Sequence, residues 1–201
     1  MTDESLLERR VSSREVYRGG FLRVHQDMVR LPDGAHAQRE YVVHPGAVVI
    51  IPLLGEEGNW RVVLERQYRY PVQQVIVEFP AGKLDAGEQA LTCARRELRE
   101  ETGFSATEWA RAGQLRPLVA YSDEAIDIWF ARGLTAGARH LDEGEFLDVF
   151  DAPVEQLMAW CRDGTITDAK TIIGAFWLQQ WLNGQWQPDW QRPPAEPEPA
   201  A

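Results

Sequence analysis

Acidic side chains at regular spacing stand out in residues 82–104 of this chain. The stretch opens with Gly82 and Gly87, and residues 88–102 then contain no further Gly or Pro. Ala, Leu, Glu, Arg and Gln dominate this second part, which predicts a helix. Gly103 follows at the position where a left-handed C-terminal cap is expected.

Three carboxylates share one arc of the predicted helix. Glu97 and Glu101 are one turn apart, and Glu100 is three residues from Glu97, so the three side chains are neighbours. Like charges at this spacing destabilise a helix by about 0.2–0.5 kcal/mol per pair, and Arg96 relieves only part of that repulsion. A divalent cation would relieve the rest. Hard oxygen donors without a His or Cys pattern favour Mg²⁺ or Mn²⁺ over Zn²⁺. The alternative interpretation is a solvated acidic face, which is the commoner meaning of Glu pairs in general.

The spacing of these glycines and acids resembles the Nudix box. The matching positions are Gly82, Glu88, Arg96, Glu97, Leu98, Glu100, Glu101, Gly103 and Phe104. The resemblance implies that Glu97, Glu101 and the backbone carbonyl of Ala81 bind metal ions, with Glu100 as a further ligand and catalytic group. Mg²⁺ is the cofactor that this implies, with Mn²⁺ as the alternative.

The segments around the box resemble the ADP-ribose and nucleoside-diphosphate-sugar pyrophosphatases of the Nudix superfamily. They are residues 65–69, 78–82, 122–124, 141–145 and 168–171. The implied reaction is hydrolysis of the pyrophosphate bond of ADP-ribose or a related nucleotide sugar, which gives a nucleoside monophosphate and a sugar phosphate. Val119 stands where many of the ADP-ribose enzymes carry a proline, so related nucleoside diphosphate sugars stay open as substrates.

The resemblance also assigns substrate-binding residues outside the box. Arg69 would contact a substrate phosphate, to which the planar guanidinium is suited. Glu78 would contact the nucleotide, with a structural hydrogen bond as the alternative. Arg39 would reach into the partner's site, because the N-terminal strands of that family are exchanged between the two subunits of a homodimer.

The acidic loop of residues 142–145 has two predicted roles. By the resemblance, Glu143 is the general base and Glu145 is an additional metal ligand. Asp142 is the alternative base, and a merely solvated acidic turn is the interpretation without the resemblance.

Two other functions stay open. One is a Nudix hydrolase of GDP-mannose, a nucleoside triphosphate or a dinucleoside polyphosphate. The other is a regulator that binds a nucleotide sugar without cleaving it. Such regulators usually lose acids of the box, whereas this chain retains them.

The pattern of apolar residues predicts an α+β fold, with a mixed sheet between helices as in the α/β/α Nudix sandwich. Residues 1–45 are expected to form a small N-terminal antiparallel sheet after a polar start compatible with a helix over residues 1–16. Residues 46–182 form the hydrolase domain, and residues 183–201 are expected to be a disordered, Pro-rich tail. Within these limits the expected strands are residues 21–30, 36–43, 47–54, 60–68, 75–79, 107–120, 126–131 and 146–150. The expected later helices are residues 154–162 and 168–182.

Composition excludes some classes of function. The net charge of −10 argues against nonspecific binding of nucleic acid. No apolar run approaches the ~20 residues of a membrane span, and the first residues lack the pattern of a secretory signal. The sequence therefore predicts a cytoplasmic protein with no nucleic-acid or membrane partner.

Overall fold

The computed structural model describes residues 3–194, which form two compact units. The first contains the chain up to Gly46 together with Arg116–Ala125, and the second contains Ala47–Leu115 and the chain from Ile126 onwards. The sequence analysis assigned residues 116–125 to the hydrolase domain, whereas their contacts belong to the first unit. The strand predicted over residues 107–120 therefore ends earlier, at Leu115.

The first unit is a three-stranded antiparallel sheet in the order β1-β2-β3. Its strands are β1 (Arg9–Arg18), β2 (Arg23–Arg30) and β3 (His36–Val43). The predicted hairpin of β2 and β3 is confirmed, with Arg30 opposite His36 at the turn. The helix considered for residues 1–16 is wrong for residues 3–16, where Glu4–Leu6 form a 3₁₀ turn and β1 begins at Arg9. Nearly every side chain of β1 is exposed, so the strand lacks the alternation that would have identified it.

The second unit is built on a mixed sheet of seven strands. They are β4 (Ala47–Leu54), β5 (Arg61–Arg69), β6 (Gln74–Glu78), β7 (Ala81–Lys83), β8 (Phe104–Leu115), β9 (Ile126–Ala136) and β10 (Leu147–Pro153). The order is β10-β5-β4-β9-β8, with β6 beside β5 and β7 beside β4. Only β4 and β9 run parallel among the pairs of described strands.

Three helices cover the two faces of this sheet. They are α1 (Ala90–Thr102), α2 (Val154–Asp163) and α3 (Ala169–Leu182). Strand β4 is buried on both faces: Val49 and Ile51 pack in the cluster that includes residues of α2 and α3, while Val48 and Ile50 pack with α1. A strand with two buried faces is a continuous apolar run, as residues 47–54 are. The predicted α+β sandwich is confirmed.

The segment after α3 is ordered as far as Pro194. The backbones of Trp109 and Gln191 exchange two hydrogen bonds of 2.9 and 2.8 Å. Trp186 and Trp190 pack against the core, and the guanidinium of Arg132 lies 3.9 Å from the centre of a Trp190 ring. The predicted disorder is therefore wrong for residues 183–194, and the rest of that prediction falls on residues outside the described ones.

Within residues 3–194 no helix combines the length and the apolar character that crossing a membrane requires.

Candidate active site

Helix α1 begins at Ala90, directly after the glycine loop, and ends at Gly103, whose φ of 76° is the expected left-handed cap. The glycine at position 82 has a steric reason. A Cβ added to Gly82 would overlap the carboxylate of Glu97, which lies against the backbone there. The loop and the helix thus fit together only if residue 82 has no side chain.

Arg96 binds three acids of the box at once. Its guanidinium donates to both carboxylate oxygens of Glu88 at 3.0 and 2.9 Å, to Glu97 at 2.8 Å and to Glu100 at 3.0 Å. These bonds lower the pKa of Glu88 below its ordinary value. Arg96 therefore offsets more of the repulsion on α1 than its position one turn before Glu100 had suggested.

Glu101 is the deeply buried acid of the helix, with only 3% of its surface exposed. One carboxylate oxygen accepts a hydrogen bond of 3.0 Å from the backbone N–H of Ala81. Burial, followed by the charges of Glu65, Glu97 and Glu145, raises the pKa of Glu101 well above its ordinary value. Ala81 and Glu101 are thus brought together, although they are far apart in the chain.

Glu97 and Glu145 belong to the same group of acids. Burial raises the pKa of Glu97, and the charges of Glu100 and Glu145 raise it further, against the opposing effect of Arg96. Glu145 is held at the end of its loop, where Gln67 donates to it at 3.5 Å. The charges of Glu97, Glu101 and Glu145 thus act on one another, and their role as metal ligands stays a prediction.

Glu143 differs from Glu145 in its position. Glu143 is exposed on the loop before β10, and the adjacent N–H of Asp142 donates to Glu145 at 3.3 Å. The turn therefore holds Glu145 beside Gln67 of β5, and the assignment of Glu143 as the base stays a prediction.

A second polar group surrounds the buried carboxylate of Glu78. Arg69 donates to it through two nitrogens at 2.7 and 2.9 Å, and Lys170 forms an ion pair with it. Lys170 also pairs with Asp168 at 3.0 Å. Glu78 is 1% exposed, which favours the structural hydrogen bond that was the alternative for this residue. The side chain of Arg69 is 41% exposed and lines a cavity of about 410 Å³ together with Lys170.

Arg39 lies in the first unit, where its guanidinium donates to Glu8 at 2.9 Å. Its role in the site of a second subunit stays a prediction.

Two functional candidates were missed by the sequence analysis. Lys170 lies in a segment that had been singled out, but its partner Glu78 is 92 residues away and no local pattern joins them. Glu65 follows the buried Val62, Val63 and Leu64 in β5 and is itself fully buried. An acidic residue that directly follows such an apolar run is the sequence signal that could have indicated a buried carboxylate.

The residues of this site suit a divalent cation. The donors are carboxylate and carbonyl oxygens, which Mg²⁺ and Mn²⁺ prefer. Both carboxylate oxygens of Glu65 lack a hydrogen-bond partner within residues 3–194, although the side chain is buried. In the same part of the chain no three Asp, Glu, His or Cys side chains already surround one point. Glu97 and Glu145 raise the pKa of Glu101, and a divalent ion held by these acids would offset that repulsion.

Two family models match the chain. The model described as the NUDIX domain matches residues 43–173, and the nucleoside diphosphate sugar hydrolase N-terminal domain matches residues 8–42. These matches together extend from β1 to the first residues of α3.

Curated relatives match over most of their length. The chain is 36% identical to the methanol dehydrogenase activator of Bacillus methanolicus, over 86% of this chain and 92% of the relative. It is 33% identical to an ADP-ribose pyrophosphatase of Bacillus subtilis, over 88% of this chain and 95% of that protein. Among solved structures, an ADP compounds hydrolase matches with a TM-score of 0.78 and 25% identity, covering 90% of this chain and 97% of the other.

Proposed function

The chain belongs to the NUDIX family, and we propose from this premise that it hydrolyses the pyrophosphate bond of ADP-ribose or a related nucleoside diphosphate sugar. The products are a nucleoside monophosphate and a sugar phosphate. The observation that carries the proposal is the buried carboxylate of Glu101, which is bonded to the Ala81 backbone and interacts electrostatically with the partly buried Glu97 and Glu145. The relatives whose names state ADP-ribose pyrophosphatase activity support the choice of substrate.

The proposed cation site consists of Glu97, Glu100, Glu101, Glu145 and the carbonyl of Ala81. These residues would hold a divalent ion, Mg²⁺ by preference and Mn²⁺ as the alternative, which would neutralise phosphate charge and acidify the attacking water. Burial removes the carboxylate of Glu101 itself from bulk water, and in a less polar surrounding its attraction to a cation is stronger.

Substrate phosphate is proposed to bind Arg69. Its guanidinium is fixed from behind by both oxygens of Glu78, and 41% of the side chain stays exposed for an anion. Glu78 therefore acts as a positioning residue for Arg69. Glu143 is proposed as the general base that takes the proton of the attacking water, a contribution of about 10²–10⁴-fold.

The active form is proposed to be a homodimer in which Arg39 reaches the partner's site. The match of residues 8–42 to a nucleoside diphosphate sugar hydrolase N-terminal domain supports this arrangement. So do the exposed apolar side chains of β1, which include Val11 and Tyr17 at 58% and 57% exposure. The cytoplasmic location and the lack of a nucleic-acid partner stay predictions from the sequence.

A substrate panel tests the proposal. Purified protein with Mg²⁺ is offered ADP-ribose, GDP-mannose, UDP-glucose, dATP and diadenosine polyphosphates, and the products are separated by chromatography. We expect ADP-ribose or another nucleotide sugar to give the highest kcat/KM, with a nucleoside monophosphate as one product. Preference for dATP or a dinucleoside polyphosphate would contradict the substrate class. Binding of a nucleotide sugar without products would favour the regulator.

A further inference from the structure

Glu65 lies in the interior of the second unit, and within residues 3–194 no group forms a hydrogen bond with its carboxylate. It is on β5, with Val149 of β10 on one side and Glu78 of β6 on the other. Its surface exposure is 0%, and neither carboxylate oxygen has a hydrogen-bond partner among residues 3–194. A buried carboxylate without a partner is costly, because it has lost its hydration and gained nothing in exchange. Such a group needs a proton or a cation.

The strand geometry shows which way Glu65 points. Successive side chains of a strand alternate between the two faces of the sheet. Val62 and Leu64 pack in the cluster that contains residues of α2 and α3. Glu65 has the opposite parity and therefore points to the other face, which α1 covers. Gln67 shares this parity, and it donates to Glu145.

The electrostatic effects agree with this direction. Of the charged groups that raise the pKa of Glu101, Glu65 has the largest effect. Burial, and next the charge of Glu78, raises the pKa of Glu65 itself to about 8. The nearby cations Lys170 and Arg69 are already paired with Glu78. Glu65 is thus the cross-strand neighbour of Glu78, which is paired with two cations, and it repels Glu101, whose carboxylate accepts a hydrogen bond from the Ala81 backbone.

We propose that Glu65 is a further ligand of the divalent cation, supplied by β5 to the site of Glu97 and Glu101. This inference rests on the proposed function, because it assumes that the site binds a metal ion. It adds a donor from a central strand of the sheet to donors from the helix and the glycine loop. A cation bound by Glu65 and Glu101 would balance two buried carboxylates that repel each other, and it would give Glu65 the partner that it lacks among residues 3–194.

Metal affinity tests the proposal without reference to turnover. Mn²⁺ binding is followed by the electron paramagnetic resonance signal of the free ion, for the wild-type chain, Glu65→Gln and Glu101→Gln. The control is Asp148→Asn, which removes an exposed acid from the neighbouring strand β10. We expect Glu65→Gln to weaken Mn²⁺ binding by at least about tenfold, since even residues behind the ligands cost that much. The control should bind as the wild-type chain does.

The outcomes separate the two claims. Wild-type affinity in Glu65→Gln together with lost affinity in Glu101→Gln would overturn the role of Glu65 and leave the proposed function intact. Wild-type affinity in both variants would overturn the metal site itself. Thermal unfolding gives a second readout. Without metal, Glu65→Gln should melt at a higher temperature than the wild-type chain, and it should gain less from Mg²⁺. A lower melting temperature without metal would mean that Glu65 is a structural acid.

Two further measurements test the inference even if Glu65→Gln does not fold. Glu65→Met places an apolar side chain of similar length in the buried position, where replacement of charge by apolar volume is often tolerated. It should fold and bind Mn²⁺ weakly. In crystals of the wild-type chain soaked with Mn²⁺, the anomalous signal should lie about 2.1 Å from a carboxylate oxygen of Glu65, the distance typical of such ligands. A signal bound by Glu97 and Glu101 but remote from Glu65 would refute the inference.

Discussion

At the level of single residues, the site depends on contacts too close to permit substitution. The carboxylate of Glu97 lies against the backbone of Gly82, and Arg96 fixes that carboxylate from the other side at 2.8 Å. Glu97 therefore has one available position, which is set by the neighbours on both sides.

Gly82→Ala is expected to lower turnover by about 10²-fold. The added methyl overlaps the carboxylate of Glu97 and displaces it, and a displacement of about 1 Å at a catalytic group costs this much. Steady-state kinetics with ADP-ribose measure the effect. The control is Gly20→Ala, which adds the same methyl where no atom lies within 4 Å. Normal turnover in Gly82→Ala would contradict the steric argument.

Two acid-to-amide variants should separate metal binding from proton transfer. Glu101→Gln is expected to weaken both Mg²⁺ affinity and turnover, because it removes a ligand. Glu143→Gln is expected to slow turnover by about 10²–10⁴-fold and largely to spare the affinity, because a base does not hold the ion. Isothermal titration calorimetry and turnover rates measure the two effects. Near-normal turnover of Glu101→Gln in saturating Mg²⁺ would defeat the ligand assignment.

The sequence predicted those residues whose relations are local. Glu97, Glu100 and Glu101 share a helix, so their spacing alone placed them on one arc. Glu65 and Lys170 could not be found this way, because the groups that they face lie on other elements. Lys170 meets Glu78 only when the first turn of α3 is placed beside β6, a tertiary contact that no sequence period encodes.

At the level of elements, residues 183–194 extend the sheet edge. Gln191 pairs with Trp109 of β8, and Arg192 donates to Glu108 at 2.8 Å. Glu108 also binds Arg132, which lies over Trp190. One acid thus connects the end of the described chain to strands β8 and β9.

Attachment of this segment should weaken in acid. Arg192 first, and then Arg132, lowers the pKa of Glu108 below its ordinary value. A carboxyl whose pKa is lowered by folding stabilises the folded chain fully above the unfolded pKa of about 4.3, and the effect is lost as the pH falls through the folded pKa. Limited proteolysis after residue 182 should therefore accelerate below about pH 4. Glu108→Gln should be cleaved readily at neutral pH and lack this acid-dependent step, and an unchanged acid step in that variant would contradict the assignment.

Predictions from composition were wrong for residues 183–194 and for strand β1. Pro, Gln and Glu around residues 183–194 suggested disorder, but Trp186 and Trp190 bury enough aromatic surface against the core to order the segment. β1 was missed for the opposite reason, since hydrogen bonds to β2 hold it while its side chains remain in water. The central strands were predicted well, because burial on both faces leaves a continuous apolar run.

At the level of the whole molecule, the proposed dimer accounts for the exposed apolar side chains of the first unit. Sedimentation is expected to show a species of twice the mass of one chain. Arg39→Ala should lower kcat/KM and leave the dimer intact, because the residue would serve the partner's site. The control is Arg14→Ala, which removes another arginine side chain from the same sheet, on β1. A stable monomer with full activity would refute the dimer and the role of Arg39 together.

The hydroxyl of Thr171 accepts a hydrogen bond of 3.0 Å from the backbone N–H of Phe79 and donates one of 2.6 Å to the carboxylate of Asp168. Phe79 leads directly into the loop that carries Ala81 and Gly82, so the catalytic loop is tethered to a helix 92 residues further along the chain. The loop can therefore detach only if the first turn of α3 unfolds. Thr171 in that turn is fully buried in the second unit. Loss of activity on heating and thermal unfolding of the second unit should consequently occur at the same temperature. No folded but inactive form is expected at intermediate temperatures.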